Sequence, residues 1–295
     1  MIASFPRVNP VDLKKRLQHI VGERNPFSSP RHLAAVEDYI EKEFKSFGLS
    51  VESDTFTHWG KSYRNVIAHQ GPSPQSSPTG RGSKGEGLII IGAHFDSVEG
   101  TPGADDNASG VAVLLEAARI LSGLRLPAQV LFCAFNLEEQ NMIGSTYFAK
   151  KLKAVGSRIS AMISLEMVGF TDSRPGGQKY PIGLRWFYPT RGDFIGVIGN
   201  WRSSLLLRRF ARLMRQVPGL PVETLTVSGN GFLVPQVRLS DHSPFWDLGY
   251  PALLLTDTSF FRNPYYHGPS DTLETLDLNF MAKVCEGVIT AVVNL

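Results

Sequence analysis

Apolar residues in this chain recur in two rhythms that alternate along its length. Residues 11–21 and 30–48 carry helical spacing, the second opened by Ser29 as N-cap and Pro30 at the first helical position and closed by Gly48. Continuous apolar runs then predict strands at 64–70, 87–95, 128–135, 159–167, 194–200 and 251–257. Strands buried on both faces read this way, because neither face needs polar residues. Helical segments fall between them at 107–122, 142–155, 202–215 and 275–294. Strands alternating with helices predict an α/β sheet covered on both faces.

One stretch breaks the pattern. GPSPQSSPTGRGSKGEG (71–87) is almost all Gly, Ser and Pro with scattered charge. It is too short to link two cores and reads as a mobile loop between neighbouring strands. No fixed-period repeat is present, so residues 1–295 read as one domain, long enough to bury a substantial core. The net charge is +3 with both signs mixed, which leaves no electrostatic footprint for nucleic acid. The most basic stretch, LLLRRFARLMR (205–215), has Leu and Phe at helical spacing and reads as an amphipathic helix with a solvated basic face. Cys133 and Cys285 lie in apolar surroundings and read as buried reduced thiols, excluding a disulfide framework or a thiolate zinc site. MIASFPRVNP lacks the apolar core of a signal peptide, and no window is apolar enough for a membrane span. The chain as given is therefore expected in the cytoplasm, away from membranes; removal of a leader would instead place it in the periplasm or outside the cell.

Ligands of open α/β sheets bind beyond the carboxyl ends of the strands, and there the chemistry-bearing residues collect. GLIIIGAHFDS ends in His94 and Asp96. The strand over 128–135 runs into NLEEQ, with Glu138 and Glu139. ISLEM carries Glu166 near its end, and the loop after PALLLTD presents His267. GADDNASG (103–110), with Asp105 and Asp106, lies between the first of these strand ends and a helix. Alone, that octet reads as a turn, EE as a solvated corner, and Asp96 as a cap on the turn with Ser97. Together, two imidazoles and several carboxylates without thiolates form the donor set of an N/O zinc site. In H-x-D on an extended chain, Asp96 points to the same side as His94 and can accept its second ring N–H. Of the adjacent Glu138 and Glu139, one can hold metal while the other takes a proton from water.

HFDS, PGADDNASG, NLEEQNMIGS, SLEM and YYHGPSDT, in that order, resemble the co-catalytic zinc aminopeptidase family, which includes bacterial leucyl aminopeptidases, glutamate carboxypeptidases and glutaminyl cyclases. The resemblance covers roughly residues 64 to 295. It implies a mixed, mostly parallel eight-stranded sheet sandwiched by helices, two Zn2+ per chain, and peptide substrates with a free N-terminus. His94 and Glu166 would hold one zinc, Glu139 and His267 the other, with Asp106 bridging and Glu138 as general base. Tyr266 matches a tyrosine that polarises the scissile carbonyl in some members. Asp105 is left to bind backbone amides, and the Asp106–Asn107 peptide is expected to be cis. SDHSPF (240–245) matches a further segment near the site, giving Asp241 and His242 either a supporting role or a structural one. Many members carry Asp where this chain has Glu166. Phe260, Phe261 and Tyr265 either line a side-chain pocket or pack a long loop. Two rivals remain: a glutaminyl cyclase-like acyltransferase with one zinc, and a non-catalytic binding domain of the same fold. The intact octet weighs against the first, and the presence of all five ligand positions with Glu138 weighs against the second.

Overall fold

The computed structural model describes residues 7–70, 87–126, 128–181 and 183–295. The loop expected over 71–87 lies outside them apart from Gly87. Eight strands form one sheet: β1 (Ser50–His58), β2 (Lys61–His69), β3 (Leu88–His94), β4 (Val130–Phe135), β5 (Ile159–Leu165), β6 (Ile195–Asn200), β7 (Val222–Val227) and β8 (Ala252–Thr256). Their spatial order is β1-β2-β4-β3-β5-β8-β6-β7. The run β4-β3-β5-β8 is parallel throughout, as is β6-β7, while β1-β2, β2-β4 and β6-β8 are antiparallel. The mixed eight-stranded sheet that the resemblance implied is the one observed.

Alternation sorts the core into two layers. From β3, Ile89, Ile91 and Ala93 join one apolar cluster with α1 (Pro10–Ile20), α2 (Pro30–Ser46), α3 (Gly110–Ser122), α5 (Ser204–Met214) and α7 (Leu278–Asn294). Leu88 and Ile90 join the other, against α4 (Ile143–Ala154) and α6 (His242–Asp247). With both faces covered, β3, β4 and β8 are buried from end to end, which is why they read as continuous apolar runs.

The differences from expectation lie at edges and ends. The strands β1 and β7 and the short helix α6 carry no apolar run. Ser29 does precede α2, but its hydroxyl donates to the Glu23 carbonyl (2.7 Å) and makes no cap bond to the helix. The helix expected over 107–122 begins at Gly110, because Asp106 and Asn107 hold non-helical backbone angles. That displacement matters, since these residues reach the site.

Candidate metal centre

The carboxyl ends of β3, β4, β5 and β8 all open on one edge, and each delivers a side chain there. His94 is the last residue of β3, Glu166 follows β5, and Glu138 and Glu139 follow β4 by a short turn. That turn needs Leu137 at φ 57°, Met167 after Glu166 sits at φ 49°, and His267 itself at φ 55°. Non-glycine residues in the left-handed region gather where surrounding contacts over-determine the backbone, and functional sites are the usual place.

The octet is stitched in from both sides. Both carboxylate oxygens of Asp271 accept backbone N–H groups, from Asp105 (2.9 Å) and Asp106 (3.1 Å). The Asn107 side chain donates to the Leu165 carbonyl (2.8 Å) and accepts from the Gly110 and Met167 amides. Gly103, at φ 59°, has no room for a side chain: a Cβ would lie 2.4 Å from the Asp106 carbonyl. Behind it the buried Arg24 guanidinium donates to the carbonyls of Phe95, Pro102 and Gly103. The Asp106–Asn107 peptide is cis, as expected.

The result is two imidazoles facing one carboxylate. Asp106 Oδ1 lies 3.3 Å from His94 Nε2, and its Oδ2 lies 3.1 Å from His267 Nε2. Glu166 Oε1 stands 3.4 Å from His94 Nε2, and Glu139 Oε2 stands 3.4 Å from His267 Nε2. Glu138 Oε2 reaches to 3.9 Å from His94 Nε2. Donor atoms of His94, Asp106 and Glu166 fall within 4.8 Å of one another, and so do those of Asp106, Glu139 and His267. Asp106 belongs to both groups.

Charge follows from this crowding. Burial pushes the Glu138 carboxyl well up and that of Glu139 to about 7, against the pull of the histidines. Burial alone would lower His94 and His267, but the acids outweigh it, lifting His94 well up and His267 to about 10. Asp106, facing both imidazoles, is held below the usual range despite its burial. Asp106 Oδ1 and Glu139 Oε1 are buried without a hydrogen-bond partner among the described residues. Such orphaned carboxylate oxygens, beside nitrogen donors and with no thiolate in reach, fit divalent cations of the zinc type.

Several supporting roles differ from expectation. The Asp96 carboxylate accepts the backbone amides of Glu138 (3.0 Å) and Glu139 (3.1 Å), while the nearest acceptor to His94 Nδ1 is the Asp96 carbonyl at 3.2 Å. Its carboxylate stands 3.6 Å from that nitrogen. Asp96 thus positions both glutamates as well as the imidazole. Asp105 accepts from Gly169 N (3.0 Å) and Asn263 Nδ2 (2.8 Å), as expected of a supporting residue. In SDHSPF the residue that touches a metal-type ligand is Ser240, whose hydroxyl donates to Glu166 Oε2 (2.7 Å). His242 instead hydrogen-bonds the Val237 carbonyl and packs edge-on against Trp246, so its role is structural. Asp241 is fully buried beside Ser145, with its carboxyl pushed up to about 7 by burial. Ser240, Asp271 and Arg24 were not singled out by sequence; Ser240 and Asp271 carried a signal, sitting inside quoted motifs, while Arg24 carried none.

Tyr266 stacks on His267 (3.7 Å between centroids) and lines, with Glu166, Phe260 and Phe261, a cleft of about 900 Å³ including its open mouth. Tyr265 packs edge-on against Phe170 instead.

A sequence model of one family, Peptidase family M28, matches residues 76–292. The chain belongs to peptidase family M28. The Escherichia coli protein YfbL is 36% identical over 99% of this chain and 91% of its own length. A probable zinc metalloprotease of Leptosphaeria maculans is 28% identical over 90% of this chain and 68% of its own. Among solved structures, an aminopeptidase from Aneurinibacillus sp. strain AM-1 superposes with a TM-score of 0.72 at 20% identity, covering 97% of this chain and 93% of that one. This M28 chain therefore shares its fold with an aminopeptidase. Among its described residues, no helix is long and apolar enough to cross a membrane.

Proposed function

We propose that this M28 protein is a zinc aminopeptidase with two metal ions per chain, which removes the N-terminal residue of peptides. The observation that carries it is Asp106, which turns one carboxylate oxygen to each histidine: His94 with Glu166 on one side, His267 with Glu139 on the other. The donor chemistry and the naming of relatives as zinc metalloprotease and aminopeptidase support the metal and the activity. A zinc pair held there supplies Lewis acidity to a peptide carbonyl and makes water acidic enough to deprotonate near neutrality. Glu138 has the part of general base, taking the water's proton and returning it to the leaving amine. Its backbone is fixed by Asp96, and its burial makes it a carboxylate that holds a proton readily. Burial, with the surrounding carboxylates adding to it, keeps the Tyr266 phenol protonated, so it can donate to the developing oxyanion.

Aminoacyl 4-nitroanilides and their N-acetylated counterparts test this. Free substrates should be hydrolysed and blocked ones not; chelator should abolish turnover and zinc restore it. Cleavage of blocked substrates would overturn the aminopeptidase reading. Cyclisation of N-terminal glutaminyl peptides without hydrolysis would assign the cyclase activity instead.

A further inference from the structure

Beyond the candidate metal centre, the cleft extends over the face of β8, β6 and β7. Register pairs Gly196 with Thr256 on one side and with Glu223 on the other, and Leu165 with Leu255. Glu166, Thr256, Gly196 and Glu223 therefore form a row across the sheet at the site's own edge, all lining the cleft. At strand spacing the row spans roughly 14 Å from the metal end to Glu223. Gly196 leaves its floor open, while Tyr188, Leu225, Val237 and Phe261 contribute apolar wall.

Glu223 is the anomaly in that wall. It is half-buried, and no hydrogen bond or ion pair involves its carboxylate among the described residues. The phenols whose charge it influences are directed elsewhere: Tyr180 donates to the Pro189 carbonyl and Tyr188 to the Thr224 carbonyl. The cation that acts on it, Arg215, turns Nε and Nη2 to the Val222 carbonyl. Lys179 also lines the cleft but is exposed, and it is not among the charges acting on Glu223. A carboxylate withdrawn from water without a partner favours an incoming cation.

We propose that the cleft receives the side chain of the substrate's N-terminal residue and that Glu223 selects a long one with an apolar stem and a cationic tip, lysine or arginine. This rests on the aminopeptidase reading. A substrate held at the metals would run its stem over Gly196, along the apolar wall, with the charged tip directed to Glu223.

The test compares zinc-loaded wild type, Glu223→Gln and Glu223→Asp on lysyl and norleucyl 4-nitroanilides, which differ by the terminal ammonium. Calorimetric binding of L-lysinol and L-norleucinol provides a readout that needs no turnover. Wild type should prefer lysine in both assays. Glu223→Gln should lower the lysine-to-norleucine ratio about tenfold or more, chiefly through KM, and Glu223→Asp should keep part of it. An equal ratio in wild type and Glu223→Gln overturns the proposal. Glu223-dependent lysinol binding without hydrolysis of any nitroanilide would keep the pocket and sink the aminopeptidase reading.

Discussion

Glu138 and Ser240 both stand beside the metal-type ligands, yet their chemistry predicts different losses. Glu138 shares a third group of donor atoms with His94 and Glu139, but at 3.9 Å it stands farther from His94 Nε2 than Asp106 or Glu166 does and belongs to neither group that contains Asp106. Glu138→Gln should therefore retain zinc, measured by elemental analysis, while kcat falls by about 10²–10⁴-fold. Unchanged turnover would remove Glu138 from the base role. Among the described residues, the Ser240 hydroxyl hydrogen-bonds Glu166 and Ser164. Ser240→Ala should weaken zinc binding by about 10–100-fold in a competitive chelator titration, since hydrogen bonds behind a ligand fix its orientation.

At the scale of elements, the octet between β3 and α3 is the piece on which both metal groups converge. Gly103 allows it to approach Arg24 and Ser97, and Asp271 fixes its amides. Gly103→Ala should cost at least about 1–2 kcal/mol in urea unfolding, the expense of a left-handed alanine, with a further loss from the clash at the Asp106 carbonyl. Zinc content should fall in the same variant, because that carbonyl belongs to Asp106, the residue shared by both donor groups. Stability and zinc content both equal to wild type would show that the loop tolerates displacement. These elements also show what a sequence discloses. His94, Asp106, Glu138, Glu139, Glu166 and His267 were legible because they sit at ends of apolar strands or in motifs of a known family. The strands β1 and β7 were not, because they are edge strands: β1 buries only Asp54 and Phe56, and β7 only its two ends. An edge strand has little need of an apolar run. Ser240 was passed over for Asp241 and His242, since which residue of SDHSPF meets Glu166 depends on how α6 packs over β5.

At the scale of the whole molecule, His242 ties stability to pH. Burial, with Arg238 adding to it, lowers its imidazole to about 3, although the Val237 hydrogen bond and Asp247 oppose the shift. The unfolded chain takes up this proton near pH 6.5, the folded one only near 3. The stability held by neutral His242 is thus fully present above about pH 6.5 and is lost as pH falls towards 3. Between pH 7 and 5, chelator-treated wild type should lose about 2 kcal/mol more than His242→Gln in urea unfolding. Parallel losses would show that His242 is protonated in the fold.

The two-metal centre is the claim on which the catalytic reading depends, and zinc stoichiometry tests it most directly. Chelator-treated protein, reloaded and dialysed, should carry two zinc ions per chain by elemental analysis. One tightly held zinc at saturation would contradict the account and leave Asp106 an ordinary ligand of a single ion.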